Sequence, residues 1–521
     1  MAEDNTMEWS KKIYNYGYLL SDDDKVTSAD IGVEWSDWVC RDVRSGIKLY
    51  VHPLAAYFMH KCSARTHVLV GHAFNPFDME KDETNILNEL ERRYNDDNLF
   101  YDYVNQLTGV FFYAVIDDKS VSAICDCAGM MGTNYGIING RVYFSSHSQL
   151  IADICGLHDS DYAAGMKEYK LFKLFGWFLP GDETPYEQIH RIIPNTRVAL
   201  GDGISVERFY PREKYAVSDD YEHSVHAAGK ILSDTMKLIA QKWEKPAISL
   251  TGGVDSQTTL ACANGIQNKF KYYSYISLER EATDAFAAKR ICEGLGLEHT
   301  IYYIDTDRKA YPDFETADGL IERHYGYLGK GNENDVCKRI SLSEQADFDI
   351  EVKSWVSEIA RASRYKHYLK DKFPDKVSPR QLTTMYKVFL WNRKQAVQTD
   401  KLFEKYLSNT RLYEALENTG YPWTEFFVWE IVFGGWGGLA LTGEHKLSND
   451  ITVPFNNRAL LDIMLRTPLE KRKTDALHKD IIKTMDERLF NLGIHVVNGN
   501  ETHKRAVCER IYYEINTHLP W

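Results

Sequence analysis

Ala247-Ile-Ser-Leu-Thr-Gly-Gly-Val-Asp-Ser256, followed at once by Gln257-Thr-Thr-Leu-Ala-Cys-Ala-Asn264, is the stretch that decides how this chain folds. An apolar strand runs into two glycines, and a helix begins directly behind them. Gly252 and Gly253 carry no side chain, so backbone N–H groups can close around a phosphate at that point. The N-terminus of the helix adds partial positive charge to the same spot. Asp255 stands where a carboxylate can hold the Mg²⁺ that accompanies ATP, and Ser256 can cap the helix or touch an oxygen.

Outward from this loop the pattern alternates. Val225, Ala228, Ile231, Leu232, Met236 and Ile239 recur at three- and four-residue steps, which predicts an amphipathic helix upstream. Downstream, Tyr272–Ser277 reads as a second strand, Thr283–Leu295 as a helix stopping near Gly296, and His299–Ile304 as a third strand. Strands alternating with helices imply a parallel sheet covered on both faces, with ligands beyond the carboxyl ends of its strands. From about Lys366 onward the chain reads as helical and aromatic.

The earlier part reads differently, mainly as β-structure. Gln106–Asp117 is rich in aromatic and β-branched residues and predicts a buried strand. Tyr135-Gly-Ile-Ile and Arg141-Val-Tyr-Phe are joined by Asn139-Gly140, a strong two-residue hairpin signal. A turn at Pro180–Pro185 leads towards Arg208-Phe-Tyr-Pro211, and the polar run 211–220 reads as a linker. A chain of 521 residues exceeds one ordinary core, so two domains are expected, 1–210 and 211–521.

Composition narrows the setting. Hydrophobic content of 44% with 26% charged residues suits a soluble globular protein. The absence of an uninterrupted apolar run of about eighteen residues argues against a membrane span. The acidic start Met-Ala-Glu-Asp lacks the pattern of a secretory signal. A net charge of −13 disfavours nucleic-acid backbones as partners. The nine scattered cysteines contain no Cys-x-x-Cys pair, and Cys125 and Cys127 suit burial better than shared metal binding. Reduced thiols in a cytoplasm are the expectation.

Thr251-Gly-Gly-Val-Asp-Ser256 resembles the Ser-Gly-Gly-x-Asp-Ser loop of the ATP pyrophosphatase superfamily, with Thr251 keeping the hydroxyl of the usual serine. The first half resembles the glutaminase-like domain of asparagine synthetases and their relatives. Leu107–Asp117 is similar to that family's Leu-x-Gly-x-Phe strand, Asp126-Cys-Ala-Gly129 to its Asp-x-x-Gly turn, and Phe144–Leu150 to its Phe-Ala-Ser-Glu segment. Ile192-Ile-Pro194 and Arg208-Phe-Tyr210 fall where that domain closes. In the second half Val453-Pro-Phe-Asn-Asn-Arg458, Thr467-Pro468 and His478–Lys483 resemble later landmarks in the expected order. The resemblance implies an N-terminal Ntn-type αββα sandwich with a degenerate active site. An adenine-nucleotide α-hydrolase-like domain with a parallel sheet and a helical C-terminal region would follow. It also implies ATP and Mg²⁺, held by Leu250, Thr251, Gly252, Gly253, Asp255, Ser256, Ile276 and Ser277.

Two departures shape the functional expectation. Glutamine-hydrolysing members use a cysteine at position 2 as nucleophile, where this chain has Ala2, and their Asn-Gly-Glu segment is not evident around Gly71-His-Ala-Phe-Asn-Pro76. Glutamate release from glutamine is therefore expected to stay at the level of a blank. Protein-dependent release in that assay would refute the expectation. The chain in this respect resembles β-lactam synthetases and lasso-peptide cyclases. The family's Ser-Gly-x-Gly-x-Asp-Glu loop is also missing. Its positional counterpart is Phe348–Arg361, read as a strand entering a helix, in which Glu358 supplies the second metal carboxylate beside Asp255. Arg361 shares its helical face, so an exposed ion pair between the two is the alternative.

By the same resemblance Lys479 is the catalytic lysine that stabilises charge on the transferring phosphate, with His478 a neighbour rather than a base. Gly434-Gly-Trp-Gly-Gly438 reads either as a tight packing turn or as a substrate-facing loop. The expected activity is an AMP-forming amide ligase joining a small-molecule or peptide carboxylate to an amine. No nucleic acid or membrane is expected to take part, and a homodimer remains open. Its rivals are an ammonia-dependent asparagine synthetase, a tRNA-modifying enzyme of the same superfamily, which the acidic charge disfavours, and an inactive scaffold.

Overall fold

The computed structural model describes residues 8–26, 38–172, 176–329, 331–389, 391–496 and 503–518. The chain is a mixed α/β protein with two antiparallel sheets and one parallel sheet. Both antiparallel sheets have six strands and are built from residues 18–208, and the five-stranded parallel sheet is built from residues 246–452.

The strands Thr66–Phe74 and Thr108–Ile116 form the spine of one antiparallel sheet. They pair over nine residues, from Thr66 opposite Ile116 to Phe74 opposite Thr108, and every residue of both is buried. Such continuous burial needs cover on both faces. One face meets the other antiparallel sheet, where Tyr18 stacks on Phe112 at 4.4 Å between ring centroids. The helix Glu83–Arg93 packs on the other. The hairpin forms at Asn139-Gly140 as its residues predict, with φ of 52° and 75°, the left-handed pair that a two-residue turn requires.

In the parallel sheet the strand Pro246–Ser249 lies at the centre. Lys271–Ile276 and Thr300–Tyr303 lie to one side, and Ile350–Val352 and Ile451–Thr452 to the other. The chain thus builds outward in one direction and then crosses back. That reversal leaves a crevice at the carboxyl ends of Pro246–Ser249 and Ile350–Val352, where open α/β sheets bind their ligands. The amphipathic helix forms over Tyr221–Lys242. The helix expected over Thr283–Leu295 begins at Glu279, four residues earlier than its apolar pattern indicates, because the Glu281 carboxylate accepts from the N–H groups of Ser277 and Leu278 and ties down its first turn.

Two segments differ from the sequence reading. Phe348–Arg361 contains a short strand, but the expected helix is only a single 3₁₀ turn, Ser357–Arg361, entered through Val356 at φ 77° and left through Ala362 at φ 50°. A β-branched residue at positive φ is strained, and the turn stays short because both its ends are left-handed. Gly434–Gly438 is neither turn nor loop. It lies in a helical run whose part Phe427–Gly437 is π-helical. A Cβ on Gly434 would stand 2.7 Å from Pro194, and one on Gly438 would stand 2.2 Å from the Gly129 carbonyl, so the glycines let this helix touch the antiparallel sheets.

Helical structure over Trp423–Leu447 is long and apolar enough by composition to cross a membrane, yet 78% of that window is buried within the protein. It carries Glu430, fully buried in an ion pair with Arg208 at 2.6 Å and bonded by Tyr406 and Asn195. The segment Val453–Arg458 joins the two halves. Asn456 donates to Asp126 at 2.8 Å and to the Gly109 carbonyl at 2.6 Å, Asn457 donates to Thr108, and Arg458 donates to Asn195.

Candidate functional site

The loop Thr251–Ser256 leaves the central strand exactly where the crevice opens. The helix Val254–Cys262 starts at Gly253, not at Ser256. Ser256 Oγ instead locks the loop: it accepts from the Thr251 N–H at 3.1 Å and donates to the carbonyls of Thr251 and Gly253. Thr251 Oγ1 accepts from the Gly253 N–H at 3.1 Å. Burial raises the Asp284 carboxyl, and the nearby Gly252 N–H only partly offsets this. Gly252 also accepts at its carbonyl from Gln257 at 2.8 Å and from the Val496 N–H at 3.0 Å. A Cβ on Gly252 would stand 2.3 Å from the Val496 side chain, so only glycine allows this approach.

Across the crevice, the 3₁₀ turn brings its polar side chains to Asp255. Ser357 donates to Asp255 Oδ1 and Arg361 donates to Oδ2, both at 2.6 Å. Arg361 does not pair with Glu358, as an exposed i,i+3 couple would. Its other edge binds Asp475 through two bonds of 2.9 Å, and Lys366 reaches Asp475 at 2.9 Å. Burial alone would raise the Asp475 carboxyl, but Arg361 and Lys366 outweigh it and hold it at about 2.

Glu358 meets this network only weakly, through Ser357 and the charge of Arg361. Its Oε2 is buried and has no hydrogen-bond partner. Burial, followed by the nearby charge of Asp255, pushes its carboxyl up to about 7. A buried carboxylate oxygen without a partner, beside a second carboxylate, fits a cation position, since a metal ion would relieve both the desolvation and the repulsion. Asp255 and Glu358 are the residues that would hold Mg²⁺.

His478 and Lys479 lie on the helix Ala476–Met485. His478, which the sequence reading passed over, points at the site. It is buried, its Nε2 stands 3.8 Å from Asp255 Oδ1, and neither ring nitrogen has a partner. Burial lowers it to about 4, so it is neutral at pH 7. Lys479 is half-buried and is not brought against Asp255 or Glu358. After burial, its charge is the influence that lowers His495, which precedes Val496, whose N–H bonds the Gly252 carbonyl.

On the adenine side Leu250 is buried and Ile276 and Ser277 are half-buried at the strand ends. Ser277 Oγ donates to Glu281 and accepts from Asn334. Beyond them a cavity of about 350 Å³ is lined by Trp177, Tyr275, Arg339, Trp436 and Glu444. Ser357, Lys366 and Asp475 escaped the sequence reading. The only signal for them was that a strand-end loop faces Asp255, and nothing in their spacing marks them. Ala2 lies outside the described residues. All nine cysteines are free, and Cys125 and Cys127 are buried as their strand pattern suggests.

No family model matches this chain, and no curated protein matches it. Among solved structures, it is similar to an allosteric regulatory enzyme of purine biosynthesis at 10% identity and a TM-score of 0.23, covering 46% of this chain and spanning 55% of that one. It is also similar to glutamine phosphoribosylpyrophosphate (PRPP) amidotransferase from B. subtilis complexed with ADP and GMP. That likeness has 10% identity and a TM-score of 0.22, and covers 68% of this chain and 72% of the other. Both scores are too low to describe a shared global arrangement.

Proposed function

We propose that the chain is an ATP-dependent, AMP- and pyrophosphate-forming amide ligase related to asparagine synthetases, working without glutamine hydrolysis. The observation that carries this reading is Glu358 Oε2, buried without a hydrogen-bond partner and near enough to Asp255 for the two carboxylates to repel, beside the glycine loop Thr251–Ser256. A substrate carboxylate is a poor electrophile. Its oxygen attacks the α-phosphorus of ATP, pyrophosphate leaves, and the resulting acyl-adenylate is opened by an amine with loss of AMP. In this reading Thr251–Ser256 hold pyrophosphate, Leu250, Ile276 and Ser277 border adenine, and the cavity at Tyr275 and Arg339 gives room for an organic substrate. Bound Mg²⁺ would offset negative charge on the phosphates.

Pyrophosphate release from ATP, with and without candidate acids and amines, tests the proposal. A ligase requires the acid, and an ammonia-dependent asparagine synthetase requires aspartate. An inactive scaffold releases none with any acid, and the Arg361–Asp255 ion pair is the feature that favours this second reading.

The Glu358 carboxyl makes a pH prediction. Its value of about 7 lies above the 4.5 of an ordinary glutamate, so between those values the folded chain holds a proton that the unfolded chain has lost. Stability of the nucleotide-free protein therefore falls as pH rises through that window. Mg²⁺ binding must expel the same proton, so affinity for MgATP is expected to rise from pH 6 to pH 8. Glu358→Gln should flatten both slopes, read by thermal melting and by titration of MgATP. A pH dependence unchanged in Glu358→Gln would remove Glu358 from the metal position.

A further inference from the structure

The turn Pro180–Pro185 carries a second polar cluster, outside the crevice. Asp182 and Glu183 face the strand His190–Arg191, with an isolated antiparallel bridge between Glu183 and His190 and the Arg191 N–H donating to the Asp182 carbonyl at 2.8 Å. One carboxylate oxygen from each acid and one ring nitrogen of His190 lie within 4.8 Å of one another. Three donors around a shared ion at about 2.0–2.2 Å need only small side-chain movements from that starting point.

The cluster is not explained by its own hydrogen bonds. His190 Nδ1 stands 3.6 Å from Asp182 Oδ2, beyond hydrogen-bond reach. Asp182 Oδ1 and His190 Nδ1 are both buried with no partner. The Asp182 side chain is only 10% exposed, yet it lines a cavity of about 370 Å³ together with His190 and Lys405. A buried carboxylate oxygen left without a donor is costly unless something else occupies that position.

Two cations stand near, and they differ in what they can do. Lys405 Nζ lies 3.1 Å from Glu183 Oε1, but its side chain is 42% exposed and can swing into solvent. The Arg191 guanidinium is turned to the carbonyls of Leu179 and Gly181 and does not bond to the acids. Among the described residues Lys405 is thus the competitor that has to leave.

We propose that Asp182, Glu183 and His190 form a site for a borderline divalent transition-metal ion of the Zn²⁺ class, which clamps the turn to the facing strand and keeps a fourth position open to the cavity. One imidazole nitrogen with two carboxylates selects Zn²⁺ over Mg²⁺ and Ca²⁺, which prefer all-oxygen shells.

The test uses the full chain, freed of metal with a chelator and titrated with Zn²⁺ alone against a chromophoric competitor. One ion per chain should bind, binding should be lost in Asp182→Asn and in His190→Gln, and Lys405→Met should bind more tightly than the parent because its competing ion pair is gone. Co²⁺ in place of Zn²⁺ gives a second readout that does not depend on those variants folding: its spectrum should lack thiolate charge-transfer bands. A parent chain that binds no Zn²⁺ would overturn the proposal. So would binding that survives both ligand substitutions, a Lys405→Met affinity no higher than the parent's, or a thiolate spectrum that moves the ion to the cysteines.

Discussion

Asp255→Ala is expected to abolish ATP–pyrophosphate exchange while the chain stays folded. Asp255 is a crevice residue with a 21% exposed side chain, bonded by Ser357 and Arg361. Its removal leaves Arg361 with both bonds to Asp475, so no buried cation is stranded and the structural cost stays moderate. In the proposed reaction the catalytic cost is of another order, because a metal ligand at the transferring phosphates cannot be replaced by a neighbour. The same substitution removes the charge that helps to raise Glu358, so the Glu358 carboxyl should move down towards an ordinary value. Exchange at the parental rate, in a variant whose melting curve is intact, would end the nucleotide assignment.

The strand, loop and helix around Thr251–Ser256 were legible because their signals are local. Strand, two glycines, carboxylate and helix follow one another within a few residues, and the physics that joins them acts over the same distance. Glu358 was legible for a different reason. A loop at the end of the strand beside Pro246–Ser249 must face Asp255 across the reversal of strand order, whatever its sequence. Its conformation was not legible, because Val356 and Ala362 take left-handed angles that only the surrounding packing imposes on such residues.

Arg361 shows the same limit from the charge side. Sequence spacing offered it Glu358, whereas Asp255 and Asp475 claim it through bonds spanning more than a hundred residues of chain. The glycines of Gly434–Gly438 signalled close approach correctly but not its partners, Pro194 and Gly129, which lie in the other half of the chain. Asn456 and Asn457 read as part of a landmark string. Their role as a latch onto Asp126 and Thr108 rests on long-range pairing that no local pattern encodes.

Lys479→Met is expected to lower turnover by at least about a hundredfold with little change in ATP affinity, the range of about 10²–10³ found when one donor to a developing charge is lost. Methionine keeps much of the length and the apolar stem, so the packing of the helix Ala476–Met485 should survive. The structure sharpens what the experiment decides. The charge of Lys479 acts on His495, next to the Val496 whose N–H bonds the Gly252 carbonyl, and Lys479 carries no ion pair among the described residues. Lys366 and Arg361 are already engaged by Asp475 and Asp255. A lysine kept for charge that develops only during reaction should be the uncommitted one, because an existing ion pair would have to break first. Measured kcat and KM for Lys479→Met and Lys366→Met separate the two. If Lys479→Met turns over like the parent and Lys366→Met does not, the transition-state charge belongs to the Asp475 network. If Lys483→Met alone is impaired, the lysine has been placed one helical turn too early, although Lys483 is exposed and packs over Phe490. Full activity in all three would remove this helix from the chemistry.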